Sequence, residues 1–182
     1  MLEILKEVEN NLEELLLSNN LHSMCIDYHK PFVKRIWFQY GKYRVYLHKI
    51  EYSSDLSEDM LFHPHPWKSA MKILKGSYEM GIGHSETMKI PEVDCKLILC
   101  EGNYYEMTNT HGWHYVKPLN KDVITLMVTG DKLNRKMPLE VTNDFRKLNQ
   151  EETSSIIYDI INALNKTIMY KNTENIIDKI DK

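Results

Sequence analysis

Two short clusters carry the residue types best suited to chemistry in this chain: Phe62-His63-Pro64-His65-Pro66-Trp67 and His111-Gly112-Trp113-His114. Side chains alternate across an extended backbone, so His63 and His65 project from the same face. Two imidazoles on one face, joined by a third from a later strand, make a nitrogen site that holds a divalent metal and leaves coordination positions open. His63, His65 and His114 are the candidate ligands. His111 could be a further ligand, a hydrogen-bonding partner of one, or an acid/base group near its ordinary pKa of about 6.5. Trp67 and Trp113 flank the two clusters and would wall the pocket, by packing or by stacking on a substrate. With His111 they are the candidate catalytic residues. Pro64 and Pro66 cannot donate to a β-ladder, which places the His-x-His segment at a sheet edge or a strand entrance. His22, His29, His48 and His84 follow no spacing that suggests a role.

The elements that must position these residues can be read from periodicity. Leu2, Leu5, Val8, Leu12, Leu15 and Leu16 recur at helical spacing with Glu and Lys between them, predicting an amphipathic helix within residues 1–20. From Val33 the period changes: Val33 to Tyr40 and Tyr43 to Tyr52 are rich in aromatic and β-branched residues and flank Gly41-Lys42, a hairpin pattern. Ser53 to Asp59 reads as a loop. Short apolar runs follow at Ala70–Leu74, Tyr78–Ile82, Lys96–Cys100, Tyr104–Met107 and Val123–Thr129, punctuated by glycines. Many short strands at close spacing predict a mainly β barrel or sandwich, over residues 30–138, rather than alternating β/α units. Asp131 to Pro138 reads as a loop. Ile156, Ile157, Ile160, Ile161, Leu164 and Ile168 form the apolar stripe of a C-terminal helix at 150–170, and residues 171–182 read as a charged tail. Gly76-Ser77-Tyr78-Glu79-Met80 is echoed by Gly102-Asn103-Tyr104-Tyr105-Glu106-Met107, as two similar hairpins would be.

The bulk numbers bound the rest. At 182 residues the chain suits one domain. A formal net charge of −3 with both signs interspersed gives no nucleic-acid footprint. No apolar run reaches the roughly 18–20 residues that span a bilayer, and the acidic first turn does not suggest a secretory leader. Three cysteines (Cys25, Cys95, Cys100) without CxxC spacing predict reduced thiols and a cytoplasmic location. There is no phosphate-cradling glycine loop; Gly81-Ile82-Gly83 alone is a weak signal.

Taken together, His63-x-His65, then Ser69, then six residues to Gly76, with His114 a suitable distance later, resembles the two motifs of the cupin superfamily across about residues 60 to 130. The resemblance implies a cupin-like jelly-roll barrel, here flanked by N- and C-terminal helices, with a metal in its mouth held by His63, His65 and His114. The chain departs from the pattern in several places. Ser69 (or Ala70) stands where the family's carboxylate ligand falls, Asn109 and His111 occupy the Pro and Gly positions of the second motif, and Pro118 occupies a later Asn position. Three neutral imidazoles leave a divalent ion its full charge, which favours an anionic or thiolate substrate group. Thiol dioxygenases of the superfamily have such a site. The similarity therefore implies a non-haem Fe(II) dioxygenase acting on a small thiol or anion, with a non-oxidative isomerase, epimerase or lyase using Zn, Mn or Ni, or a non-catalytic binding barrel, as alternatives. Glu79 or Glu106 could restore a carboxylate. The family implies a homodimer.

Overall fold

The computed structural model describes residues 1–55, 60–87, 89–109, 111–132, 145–164, 177 and 180. Two helices, α1 (Leu2–Asn10) and α2 (Leu12–Ser18), precede ten strands. These are β1 (His22–Ile26), β2 (Val33–Tyr40), β3 (Tyr43–Ile50), β4 (His63–Pro64), β5 (Trp67–Lys75), β6 (Ser77–His84), β7 (Cys95–Cys100), β8 (Tyr104–Met107), β9 (Gly112–Pro118) and β10 (Val123–Lys132). Helix α3 (Gln150–Ala163) follows the strands. The strands form a six-stranded sheet in the order β1-β2-β3-β10-β5-β8 and a four-stranded sheet in the order β4-β9-β6-β7, all pairings antiparallel. This is a jelly-roll-like double sheet with flanking helices, the fold class that the strand spacing predicts.

The single N-terminal helix expected within 1–20 is two segments. Asn11 interrupts it with φ −109° and ψ 11°, and its side-chain amide donates to the Glu7 carbonyl at 2.9 Å. A short amide that bonds local backbone competes with the helical ladder, and Asn11 supplies one. The C-terminal helix begins on a capping box: Asn149 Oδ1 accepts from Glu152 N at 2.9 Å, and Glu152 accepts from Asn149 N at 3.0 Å. The rest of the 150–170 helix and most of the tail lie outside the described residues, as does the end of the 30–138 barrel. At the other end the barrel starts earlier than expected, because His22–Ile26 adds β1 to the large sheet.

Strand alternation divides the six-stranded sheet into two unlike faces. Ile36 and Phe38 on β2, Val45 and Leu47 on β3, Ala70 on β5, and Leu126 and Val128 on β10 join one apolar cluster. The same cluster takes in Leu5, Val8, Leu12 and Leu16 of α1 and α2 and Ile156, Ile157, Ile160 and Ile161 of α3. The helices therefore cover the outside of this sheet. The other face looks toward the four-stranded sheet and carries Arg35, Trp37, Tyr46, His48, Met71, Thr125 and Met127. A second cluster (Ile50, Ile73, Tyr78, Met80 and Val123) fills the space between the sheets.

The glycine echo does not mark two hairpins as expected but two turns that cross between the sheets, since β5 and β6 pair in different sheets, as do β7 and β8. Gly76 (φ +86°) joins β5 to β6, and Gly102 (φ +85°) joins β7 to β8. They pack side by side: Glu101 N donates to the Gly76 carbonyl at 3.0 Å and Gly102 N to the Ile73 carbonyl at 2.9 Å. At Gly76 a Cβ would come within 2.9 Å of the Asp122 carbonyl, so both the positive φ and the space call for glycine.

Candidate metal centre

Antiparallel pairing brings the two histidine clusters together. His63 on β4 is the cross-strand partner of His114 on β9, and Pro64 faces Trp113. The two-residue β4 is the edge strand that two prolines would allow. His65 follows two residues later and returns to the same side. The ring centroids are 5.0 Å apart for His63 and His65, 5.0 Å for His63 and His114, and 4.7 Å for His65 and His114. Ligand nitrogens of all three lie within 4.8 Å of one another, close enough that small ring movements bring them onto one ion at bonds of about 2.0–2.1 Å.

Hydrogen bonding and burial prepare these rings for a cation. His63 Nδ1–H donates to the Leu61 carbonyl at 3.0 Å, which fixes the tautomer and leaves the Nε2 lone pair free. His65 Nε2 and His114 Nε2 face each other at 2.6 Å. His114 is 4% exposed, while His63 and His65 are half-buried and remain reachable. Burial pushes the His63 pKa down to about 4, against the opposing effect of its bond to Leu61. Burial also holds His65 and His114 well below the ordinary imidazole value, reinforced by the positive potential of neighbouring histidines and, for His65, of Arg35. All three are neutral at pH 7, the form that ligates. The donor set thus fits a divalent metal.

No carboxylate joins it among the described residues. Ser69 is buried on the same face of β5 as Trp67 and Met71 and brings no acidic group. Glu79 accepts from the Tyr115 hydroxyl at 2.7 Å and lies 3.7 Å from Lys96 Nζ. Glu106 pairs with the N-terminal amine at 2.7 Å. Both acids that could have restored a mixed shell are occupied elsewhere.

The three aromatic candidates separate. Trp67 lies beside the site, its ring 5.9 Å from that of His65 and its Nε1 buried without a partner among the described residues. Trp113 does not share its neighbour's environment, since alternation sends it to the face opposite His114. There it is 1% exposed and packs edge-on against Phe62 at 6.1 Å. Phe62 also meets Tyr115 at 5.8 Å. These rings need the missing side chains of Gly81 and Gly83: a Cβ at Gly81 would sit 1.9 Å from Tyr115, and one at Gly83 would sit 2.8 Å from Phe62. That packing anchors the backbone just before His63 and explains Gly81-Ile82-Gly83 without any phosphate. His111 is not one of the converging imidazoles; its ring contact is with His84 at 5.7 Å.

Two histidines without a spacing pattern acquire surroundings. His22 stacks on Trp37 at 4.3 Å. His48 is buried between the sheets, Nδ1 3.0 Å from Thr125 Oγ1, with Arg35 directly opposite it on β2. The signal that could have found Arg35 and His48 is the alternation itself. Arg35-x-Trp37 and Tyr46-x-His48 interleave with Ile36-x-Phe38 and Val45-x-Leu47, two chemically distinct faces on one hairpin.

Fold and site define a jelly-roll barrel with a three-histidine centre between its sheets. No family model matches the chain, and no curated protein matches it by sequence. Among solved structures, hydroxypropylphosphonic acid epoxidase from S. wedmorenis aligns with a TM-score of 0.45 and 13% identity, covering 59% of this chain and 55% of that one. KdgF from Halomonas sp. aligns at 0.43 and 12%, covering 59% and 88%. The DMSP lyase DddQ from Ruegeria pomeroyi DSS-3 aligns at 0.41 and 18%, covering 58% and 47%. The aligned part thus spans about half of the epoxidase. Likenesses of this strength carry no chemistry across, which leaves that to the site's own residues.

Proposed function

We propose that this chain is a metal-dependent jelly-roll enzyme, with Fe(II) held by His63, His65 and His114, that oxidises a small thiol or anionic substrate as a dioxygenase. The observation that carries this reading is the convergence of three neutral imidazoles with no carboxylate beside them among the described residues. Bound there, iron would supply adjacent coordination positions for substrate and dioxygen. The protein's own part is to hold three lone pairs in register through the β4–β9 pairing and to keep the rings deprotonated by burial. Trp67 walls one side of the centre, its ring 5.9 Å from that of His65. Tyr105 is held by the Tyr78 hydroxyl at 2.8 Å and by Met71 Sδ at 3.0 Å, so its hydroxyl faces a defined neighbour rather than open solvent.

The test is elemental analysis of anaerobically purified protein, followed by oxygen consumption with a panel of small thiols and carboxylates. About one iron per chain is expected, lost in His63→Ala and His114→Ala. A protein that holds no divalent metal after reconstitution refutes the reading. Turnover supported by zinc without dioxygen refutes its oxidative part and favours an isomerase, epimerase or lyase. No helix among the described residues is long and apolar enough to cross a membrane. We further propose a cytoplasmic homodimer, supported by the exposed free thiols Cys95 and Cys100 and the exposed Leu97 and Ile98 on edge strand β7. Sedimentation at micromolar concentration checks the oligomeric state.

A further inference from the structure

The cluster His111-Gly112-Trp113-His114 gives the metal centre one ligand, His114, and leaves His111 in other surroundings. His84 is the last residue of β6 and pairs with Gly112, the first of β9, in the register that sets Ile82 opposite His114. Alternation puts His84 on the same face of β6 as Ile82, so it lies two residues, roughly 7 Å, further along the sheet than the position facing His114. There its ring meets that of His111, with centroids 5.7 Å apart and planes at 70°. His84 is exposed and His111 half-buried, whereas His114 is 4% exposed. A second imidazole pair thus stands at the solvent-open end of the ladder that carries the buried centre.

Backbone and side-chain bonds hold the two residues together. Ser85 N donates to the His111 carbonyl at 3.1 Å, which ties the end of β6 to the start of β9. Asn109 secures the other side: its Oδ1 accepts from His111 N at 2.8 Å, and its Nδ2 donates to His84 Nδ1 at 3.4 Å. That second bond is longer than the roughly 2.7–3.2 Å of an ordinary N–H bond, so an ion can take the Nδ1 lone pair in its place. The centroids stand only slightly wider apart than the 5.0 Å of His63 and His114, and an exposed ring can turn to close the difference. Among the described residues no third ligating side chain joins the pair, which leaves the remaining coordination positions to water. Imidazole donors suit transition ions such as Zn(II), where Mg(II) and Ca(II) take oxygen.

We propose that His84 and His111 form a second metal site, at the open end of the β6–β9 ladder, that takes a divalent transition ion such as Zn(II) through two imidazoles and water. With one ligand fewer, it binds more weakly than the buried centre and fills after it. The two sites share no ligand, so this one stands independently of the reading of His63, His65 and His114.

The experiment is calorimetric titration of the metal-free full chain with Zn(II) near neutral pH, followed in parallel by the imidazole nitrogen resonances. Wild type takes up two zinc ions per chain, the second at least about tenfold more weakly than the first. The resonances of His84 and His111 shift together as the second ion enters. His84→Gln and His111→Gln each remove the second ion and leave the first in place, while His63→Ala does the opposite. His84 is exposed, so His84→Gln melts like wild type without zinc, and its lost ion does not reflect a lost fold. If His111→Gln does not fold, His84→Gln and the His111 resonances of wild type carry the comparison. A second ion that His84→Gln leaves in place, or zinc uptake that moves neither the His84 nor the His111 resonance, overturns the proposal. A single ion lost in His84→Gln and kept in His63→Ala supports this site while refuting the buried centre. A single ion with the reverse pattern overturns this site and leaves the buried centre standing.

Discussion

Loading a metal onto three histidines normally expels protons, and the burial of this site predicts that it will not. At about pH 6 an imidazole with the unperturbed pKa of about 6.5 is roughly three-quarters protonated, so three ordinary histidines would together release a little over two protons on binding. Here burial places His63 at about 4, which leaves about 1% of that ring protonated at about pH 6. His65 and His114 are held well below the ordinary value by the same cause. A neutral ring carries one hydrogen and needs only to keep it on the nitrogen that does not ligate, with no net loss. Titration of Zn(II) into metal-free protein near pH 6, repeated in two buffers of different ionisation enthalpy, counts the protons. The expected release is close to zero, and the apparent affinity is flat from about pH 5.5 to 8. Release of about two protons would show three solvated imidazoles, and the account of the site as a pre-deprotonated nitrogen cluster would fall.

The same shifts set the acid sensitivity of the metal-free fold. The unfolded histidines bind protons near 6.5 and the folded ones lower, so stability is full above about pH 6.5 and declines as pH falls toward about 4. His63 alone contributes up to about 3 kcal/mol to that decline; a melting temperature constant between pH 7 and 5 in a chelator-treated sample contradicts it. Gly81→Ala places a methyl 1.9 Å from the Tyr115 ring and should cost about 1–3 kcal/mol in denaturant unfolding; an unchanged midpoint refutes the packing of Tyr115 across Gly81. Asn149→Ala removes the acceptor for Glu152 N and should lower stability by about 1 kcal/mol, while Asn149→Asp should restore it.

Much of the architecture was legible because hydrophobic period and glycine punctuation act locally. The runs at 70–74, 78–82, 96–100, 104–107 and 123–129 each lie within one of β5, β6, β7, β8 and β10, and Gly76 and Gly102 mark turns, though these turns cross between sheets and do not close the hairpins expected. The convergence of His63, His65 and His114 was legible because a motif encodes a cross-strand pairing. Trp113 was placed with its neighbour by sequence proximity, whereas a strand sends consecutive residues to opposite faces. Arg35 and His48 were missed for the opposite reason. On a hairpin with one apolar and one polar face, the polar face ordinarily meets water. Here the helices cover the apolar face, so the polar one turns inward, an inversion decided by elements far away in sequence. The break at Asn11 is a local competition between an amide side chain and the helical ladder, which hydrophobic spacing does not register.

The placement of the largest apolar cluster outside the barrel has a consequence for how this protein can change. Leu5, Leu12, Ile36, Phe38, Leu47, Leu126, Ile156 and Ile160 secure the sheet from behind, so the chamber wall formed by Arg35, Trp37, Tyr46 and His48 is not the main source of cohesion. Mutations on that wall can alter what the chamber accepts while the scaffold persists. The arrangement favours divergence: the chamber can drift toward new small molecules while the helices and the back of the sheet stay under stricter selection.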